Sequence, residues 1–352
     1  MTRKMATIRK IDSIRDIPGA DSIECCTLGG WNVVTRKGEY TAGDLAVYCE
    51  IDSFIPTAVA PFLTKPGHYA KTFEGVEGER LRTVKLRGQL SQGLLLPVYQ
   101  TSVGNFIHGI DADGRPHKWA VTMEQDVSDY LGITKYEAPI PAELAGEVKG
   151  MFPSQIPKTD QERIQNLSAE LEVWKTENLT FEITEKLDGS SMTVYRIDDY
   201  VGVCSRNLDL KRNEDNSLWR AALKHDLEEK LKIAGGNLAV QGELIGNGIQ
   251  GNKYKMRDQD FYVYDIYDID AGRYFTPAER LAFVTEYKLN HCPVLHSNTE
   301  LIESVESLLK LAEGKSVMGT VGCEREGLVY KCNERQVSFK AISNKFLLKG
   351  GE

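Results

Sequence analysis

Lys186-Leu-Asp188-Gly-Ser190 sets a lysine amine two residues before a carboxylate, at a place where a strand would turn. Further along, in order, stand Ser205-Arg206-Asn207, Gln241-Gly-Glu243-Leu-Ile-Gly246, Phe261-Tyr-Val-Tyr264-Asp265, Glu326-Gly327-Leu-Val-Tyr-Lys331 and Ser338-Phe-Lys340. A lysine can serve as a covalent nucleophile only if its amine is unprotonated when it attacks. At an ordinary pKa of about 10.4 it is almost wholly ammonium at neutral pH, so a second cation nearby must disfavour that charge. Asp188, Glu243 and Glu326 are oxygen donors of the kind that hold a hydrated divalent ion through water. Each string alone has an ordinary explanation: Asp-Gly is a common turn and a lysine beside it is commonly solvated. The ordered company of all of them singles out Lys186.

The elements that must position these residues are set by length and pattern. A chain of 352 residues suits two domains. With 41% hydrophobic and 27% charged residues it has the composition of a folding globular chain, without a case for long disorder. No apolar run approaches the roughly 18 residues of a membrane span, and the basic start has no apolar stretch behind it, so a cytoplasmic protein without membrane contact is expected. Seven scattered cysteines without a C-x-x-C pair fit reduced thiols. A net charge of −8 argues against a protein that coats duplex DNA through a global positive field. Basic residues nevertheless cluster at Arg3–Arg15, at Arg80, Arg82, Lys85 and Arg87, and between Lys331 and Lys349.

Up to about residue 125 the pattern is one of short strands broken by Gly, Asp and Pro: Ile23–Leu28, Trp31–Arg36, Asp44–Ile51, Arg82–Leu86 and Gly93–Val98. That spacing suggests a small β-barrel, and an OB-type barrel fits the size. We expect this domain over 1–130 and, because prolines 139, 141, 153 and 157 forbid a long regular element, a linker over 131–158. A capping box at Thr159-Asp-Gln-Glu162 predicts a helix start, followed by Ile164, Leu167, Leu171 and Trp174 at helical spacing. Residues 159–352 then alternate strands with a few helices. Strands are expected from Leu179 to Lys186 and over Ser191–Ile197, Tyr200–Ser205, Leu238–Ile245, Phe261–Tyr267, Gly327–Cys332 and Gln336–Ile342. Helices are expected over Leu218–Leu231, from Pro277 to Tyr287 and near Leu301–Ala312.

The ordered series of strings resembles the six motifs of the covalent nucleotidyltransferases, the superfamily of DNA ligases, RNA ligases and RNA capping enzymes. Within it the chain is most similar to the nick-sealing RNA ligases with an N-terminal OB domain, the fifth RNA ligase family, over nearly its whole length. The resemblance implies an α+β fold, an OB-like domain followed by a nucleotidyltransferase (ATP-grasp-like ligase) domain of antiparallel sheets with flanking helices. It implies ATP and Mg²⁺ or Mn²⁺ as cofactors, Lys186 as the nucleophile that carries AMP, and RNA with 3′-hydroxyl and 5′-phosphate ends as substrate, handled by a monomer. It further implies Asp188, Glu243 and Glu326 around the metal, Glu243 and Glu326 near the ribose, and Arg206 on ribose or phosphate. Tyr264 would stack on adenine, Lys340 would neutralise charge on the α-phosphate, and Arg163 would reach the nucleotide phosphates from the helix before it. Glu185, beside the nucleophile, joins the nucleotide-binding set.

Two departures qualify the resemblance. Several ligases carry a second lysine two positions after the last motif lysine, whereas this chain has Ile342 there; Lys345 could substitute, or one lysine could suffice. Where DNA ligases and capping enzymes often follow Asp-Gly with arginine, this chain has Ser190-Ser191, which favours the RNA branch. The last motif lies near the end of the sequence, so the front domain is expected to supply the nucleic-acid grip. A DNA ligase, a capping-type transferase and an OB protein without catalysis remain open as alternatives at this point.

Overall fold

Alternation of apolar and polar residues in runs of four to eight, punctuated by glycine, builds the front of the molecule almost entirely from antiparallel strands. The computed structural model describes residues 3–110, 115–137, 146–319 and 322–349. They fall into two compact units, 1–139 and 140–351. In the first, Ala6–Lys10, Leu45–Cys49 and Leu94–Pro97 share a sheet with Leu45–Cys49 central, so that Val47 stands opposite both Ile8 and Leu96. Ser13–Asp16, Ile23–Leu28 and Trp31–Arg36 form a meander, and buried Trp31 packs on Tyr48 at 5.5 Å between ring centres. Ile8, Val47, Ile55, Ile107, Val127 and Leu131 anchor the core. The Ile23–Leu28 and Trp31–Arg36 strands end where the alternation predicts; Asp44–Ile51 and Gly93–Val98 contract to Leu45–Cys49 and Leu94–Pro97.

The segment expected as linker is not bare. Thr134–Lys135 pairs with Ser53–Phe54 in the first unit, and Val148–Met151 pairs with Leu208–Leu210 in the second. Pro139 and Pro141 lie outside the described residues. Short two- to four-residue pairings of this kind carry no periodicity that a sequence reading could detect.

The second unit holds two antiparallel sheets. One has seven strands, in the order Val148–Met151, Leu208–Leu210, Tyr200–Cys204, Ser190–Ile197, Leu238–Ile245, Asp260–Asp268 and Arg273–Tyr274. The other has four, Val294–Glu300, Thr180–Lys186, Gly327–Cys332 and Ser338–Ile342. Each sheet buries one face under helices: Trp219, Leu227 and Leu231 cover the first, and Leu171, Trp174, Leu308 and Leu309 the second. The helix Pro277–Glu286 opens with the reciprocal capping box of Thr276 and Glu279, as expected.

Three helix expectations are corrected. Thr159 does not cap a helix: its hydroxyl lies 3.2 Å from Ser191 Oγ, and the chain runs extended through Arg163 into a single 3₁₀ turn, Ile164–Asn166, before the α-helix Ser168–Thr176. Backbone pairing of 162–163 with Lys340 claims the donors and acceptors that a helix there would need. The helix expected over Leu218–Leu231 is two, Ser217–Lys224 and Leu227–Ala234, broken where Asp226 takes a left-handed conformation and His225 contacts Asp260 at 2.6 Å. The helix near Leu301–Ala312 starts later, at Val305, capped by Ser304.

Candidate active site

The chain leaves the four-stranded sheet at Lys186 and enters the seven-stranded sheet at Ser190, so Leu187-Asp188-Gly189 is the stitch between them. Buried Leu187 pins the stitch. Gly189 is required by close approach: a Cβ there would lie 2.3 Å from the Leu244 carbonyl oxygen. Strand pairing then delivers the acidic residues. Gly327 is opposite Lys186, which puts Glu326 at the seam, and Glu243 is opposite Ser191. Gly327 answers to the same packing demand, since a Cβ there would meet the Ala341 carbonyl at 2.3 Å.

At the seam the Lys186 ammonium donates to Glu326 Oε1 at 2.6 Å, the lysine partly exposed and the glutamate buried. The Gly189 N–H donates to Glu243 Oε1 at 3.0 Å. The Asp188 N–H donates to the buried Tyr254 hydroxyl at 2.8 Å, and its carboxylate pairs with Lys253 at 2.7 Å. Burial pushes the Glu243 carboxyl up to about 8; Lys186 opposes the rise, while the charges of Glu326 and Asp188 add to it. Lys340 is buried on the Ser338–Ile342 strand opposite Val329, one strand beyond Glu326's own.

Other expected residues are placed differently. Glu185 is buried with its carboxylate accepting from the Val317 N–H at 2.9 Å, in keeping with neighbouring strand residues pointing to opposite faces. Arg206 forms an ion pair with Asp160 at 2.6 Å on the surface. Arg163 is fully buried beside the Lys340 strand on extended chain, not on a helix. The Tyr264 hydroxyl sits 3.3 Å from Ser191 Oγ and its ring packs with Leu187, Tyr254 and Cys292. Lys345 lies on the helix Asn344–Leu348 and pairs with Glu313 at 2.9 Å, while Ile342 is buried. Sequence reasoning missed Lys253 and Tyr254; both come from an irregular loop, and no spacing announces its approach to Asp188.

Behind the seam a buried polar cluster ties the two sheets. Lys331 pairs with Asp265 at 2.5 Å and donates to the Tyr264 carbonyl. Arg280 pairs with Glu182 and lies 3.8 Å from Asp265. Its Nε donates to His291 Nε2 at 2.9 Å, and His291 Nδ1 donates to the Cys292 carbonyl. Burial, with the Arg280 charge second, holds His291 down to about 3, which fixes it as the neutral donor-acceptor this arrangement uses. Burial likewise lowers Lys331 to about 8, with Asp265 opposing.

The donor chemistry suits a hard divalent ion held at one remove. Among the described residues no three His, Cys, Asp or Glu side chains are grouped to grip an ion directly. Asp188, Glu243 and Glu326 nonetheless bring carboxylate oxygens to the seam beside Lys186 and Lys253, and burial, more than any neighbouring charge, raises the Glu243 carboxyl. A hydrated Mg²⁺ or Mn²⁺ is the kind of ion that such oxygens hold through its waters.

An RNA ligase family model matches residues 179–343, and an OB-fold domain model matches residues 5–98. Three solved structures of Naegleria gruberi RNA ligase are similar over almost the full length. A lysine-to-methionine variant with AMP and Mn is 45% identical, covering 99% of this chain and 99% of that one, with a TM-score of 0.85. A glutamate-to-alanine variant with ATP and Mn is 45% identical with the same coverage and a TM-score of 0.84. The protein with PPi is 45% identical, covering 99% of this chain and 98% of that one, with a TM-score of 0.84. No curated protein matches the chain.

Proposed function

The chain belongs to the RNA ligase family, and from that premise we propose that it seals breaks between a 3′-hydroxyl and a 5′-phosphate, nicks in duplex RNA or an RNA–DNA hybrid, through AMP carried on Lys186. It uses ATP and a divalent metal, as its Naegleria gruberi relatives with ATP, AMP and Mn support. The observation that carries the reading is the Lys186 amine 2.6 Å from Glu326 in a seam shared with Asp188 and Glu243.

The Lys186 nitrogen attacks the α-phosphorus, a P–N bond forms, and the bond to the β-phosphate oxygen breaks to release pyrophosphate. A 5′-phosphate oxygen then attacks the same phosphorus and the P–N bond breaks, returning the amine. Finally the 3′-hydroxyl attacks the 5′-phosphorus and AMP leaves. Glu326 holds the amine in place, and the Asp188–Lys253 and Glu243–Gly189 contacts fix the turn that aims it. Lys340 and Arg163 bring positive charge to the phosphate side, and Tyr264 offers the ring that adenine stacks upon. A divalent ion at the carboxylates would favour the neutral amine and polarise the α-phosphate.

Incubation with α-labelled ATP and Mn²⁺ should leave label covalently on the protein, and Lys186→Ala or chelation should abolish it. Label that persists in Lys186→Ala would overturn the assignment. Competition by GTP, or equal joining of DNA ends, would move the protein to the capping or DNA branch.

A further inference from the structure

Residues 99–137 lie outside both family-model matches, yet they complete the first unit with a three-stranded antiparallel sheet. Its strands are Tyr99–Thr101, Gly104–Ile110 and Pro116–Val121. Beside this sheet is a cavity of about 630 Å³, inside the range of roughly 300–1,000 Å³ typical of ligand sites. Its floor is apolar, with Val47, Leu96, Ile107 and Leu131, and two pairs of rings line it, Trp119 standing on one face of the sheet and Tyr99 with His108 on the other. Tyr99 and His108 stack at 4.4 Å between centres, and Trp119 and Tyr130 lie almost parallel, 6° apart in plane, at 5.5 Å.

Several features of this wall suit a flat, polar-edged ligand. Gly109 lets the Trp119 indole lie flat on the backbone, since a Cβ there would come within 2.7 Å of the ring. Tyr99, His108 and Tyr130 are all exposed, so ring faces are offered to solvent instead of being sealed in a core. The three strands carry His108, His117 and Lys118 and no carboxylate, in a chain of net charge −8. On the same sheet, next to the cavity lining, Lys118 sits 3.8 Å from the Phe106 ring centre. The one acidic lining residue, Asp129, can accept from the N–H edge of a base. Aromatic platforms beside cations are how proteins hold unpaired bases without regard to sequence.

We propose that this cavity is a stacking site for unpaired nucleobases in single-stranded stretches of the RNA that flank the duplex break, built wholly from the first unit and using none of the adenylyl-transfer residues. It rests on the ligase reading for the identity of its strand. A duplex would gain little there, because its bases are already stacked on each other.

The test uses the full chain and a labelled oligouridine of about twelve nucleotides, within the span of ~4–16 nucleotides that an OB domain covers. Tyr99→Ala with Tyr130→Ala should raise the Kd for the oligouridine at least about tenfold, in line with the known contribution of one to two stacked bases. Affinity for duplex RNA of the same length and labelling of Lys186 by ATP should both stay within about twofold of wild type. Tyr99→Phe with Tyr130→Phe should bind like wild type. Unchanged single-strand affinity in the alanine pair, or an equal loss on duplex, would overturn the site. Should the alanine pair fail to fold, photocrosslinking of 4-thiouridine RNA to the wild-type chain decides: adducts on Tyr99, Trp119 or Tyr130 support the proposal, and adducts confined elsewhere refute it. Absence of ATP labelling in the wild type would instead count against the ligase reading, a separate result.

Discussion

Three carboxylates converge on the region of one amine, and Lys186 and Lys253 pair with two of them. Glu326 is committed to Lys186 and Asp188 to Lys253, which leaves Glu243 with a backbone N–H and a carboxyl pushed up to about 8 by burial first and by its acidic neighbours after that. A divalent ion bound there would ease the burial of such a set. Removing any member should therefore weaken transition-state stabilisation without unfolding the domain. We expect Glu243→Ala, Glu326→Ala and Lys340→Ala each to slow strand joining at least tenfold, about 1.4 kcal/mol. Joining assays with a pre-adenylylated strand alongside ATP-driven joining will show which step each residue serves, and wild-type rates in all three variants would break the motif assignment.

At the scale of elements, the site depends on two sheets keeping their places within the second unit. The cluster of Lys331, Asp265, Arg280 and Glu182 takes one lysine and one glutamate from the four-stranded sheet, one aspartate from the seven-stranded sheet and one arginine from the helix Pro277–Glu286. Arg280 and Glu182 are wholly buried, so deleting one partner leaves a charge stranded in the interior. Lys331→Met should cost about 3–5 kcal/mol in urea unfolding, and Lys331→Met with Asp265→Leu should recover part of that loss. A single-variant loss under about 1 kcal/mol would show that the cluster does not hold the sheets.

For the whole molecule, every residue of the proposed adenylyl-transfer site belongs to the second unit, while the aromatic cavity belongs to the first. On the proposals above, activating a phosphate and gripping a strand would fall to different units, each of which has its own core. A chain shortened to begin near residue 140 should still take label from ATP at Lys186, within about tenfold of the full chain, and should lose strand joining by a larger factor. Loss of labelling with retained folding by circular dichroism would mean that the first unit takes part in the chemistry itself.

Lys186, Asp188, Glu243, Glu326 and Lys340 were singled out by the ordered motifs the chain shares with the covalent nucleotidyltransferases, and the structure brings Lys186, Asp188, Glu243 and Glu326 to one seam. Strands such as Ile23–Leu28 and the capped helix after Thr276 were equally legible, since alternation and capping are local. Local signals failed where distant backbone or distant side chains intervened. The box at Thr159 lost its helix to pairing with Lys340, and the helix through Asp226 broke beside Asp260. Lys253 reaches Asp188 from a loop, Lys331 finds Asp265 across a seam, and Tyr99, Trp119 and Tyr130 gather around one cavity. Those meetings join residues far apart in the chain with no shared period, so only the packing of sheet against sheet and strand against strand could decide them.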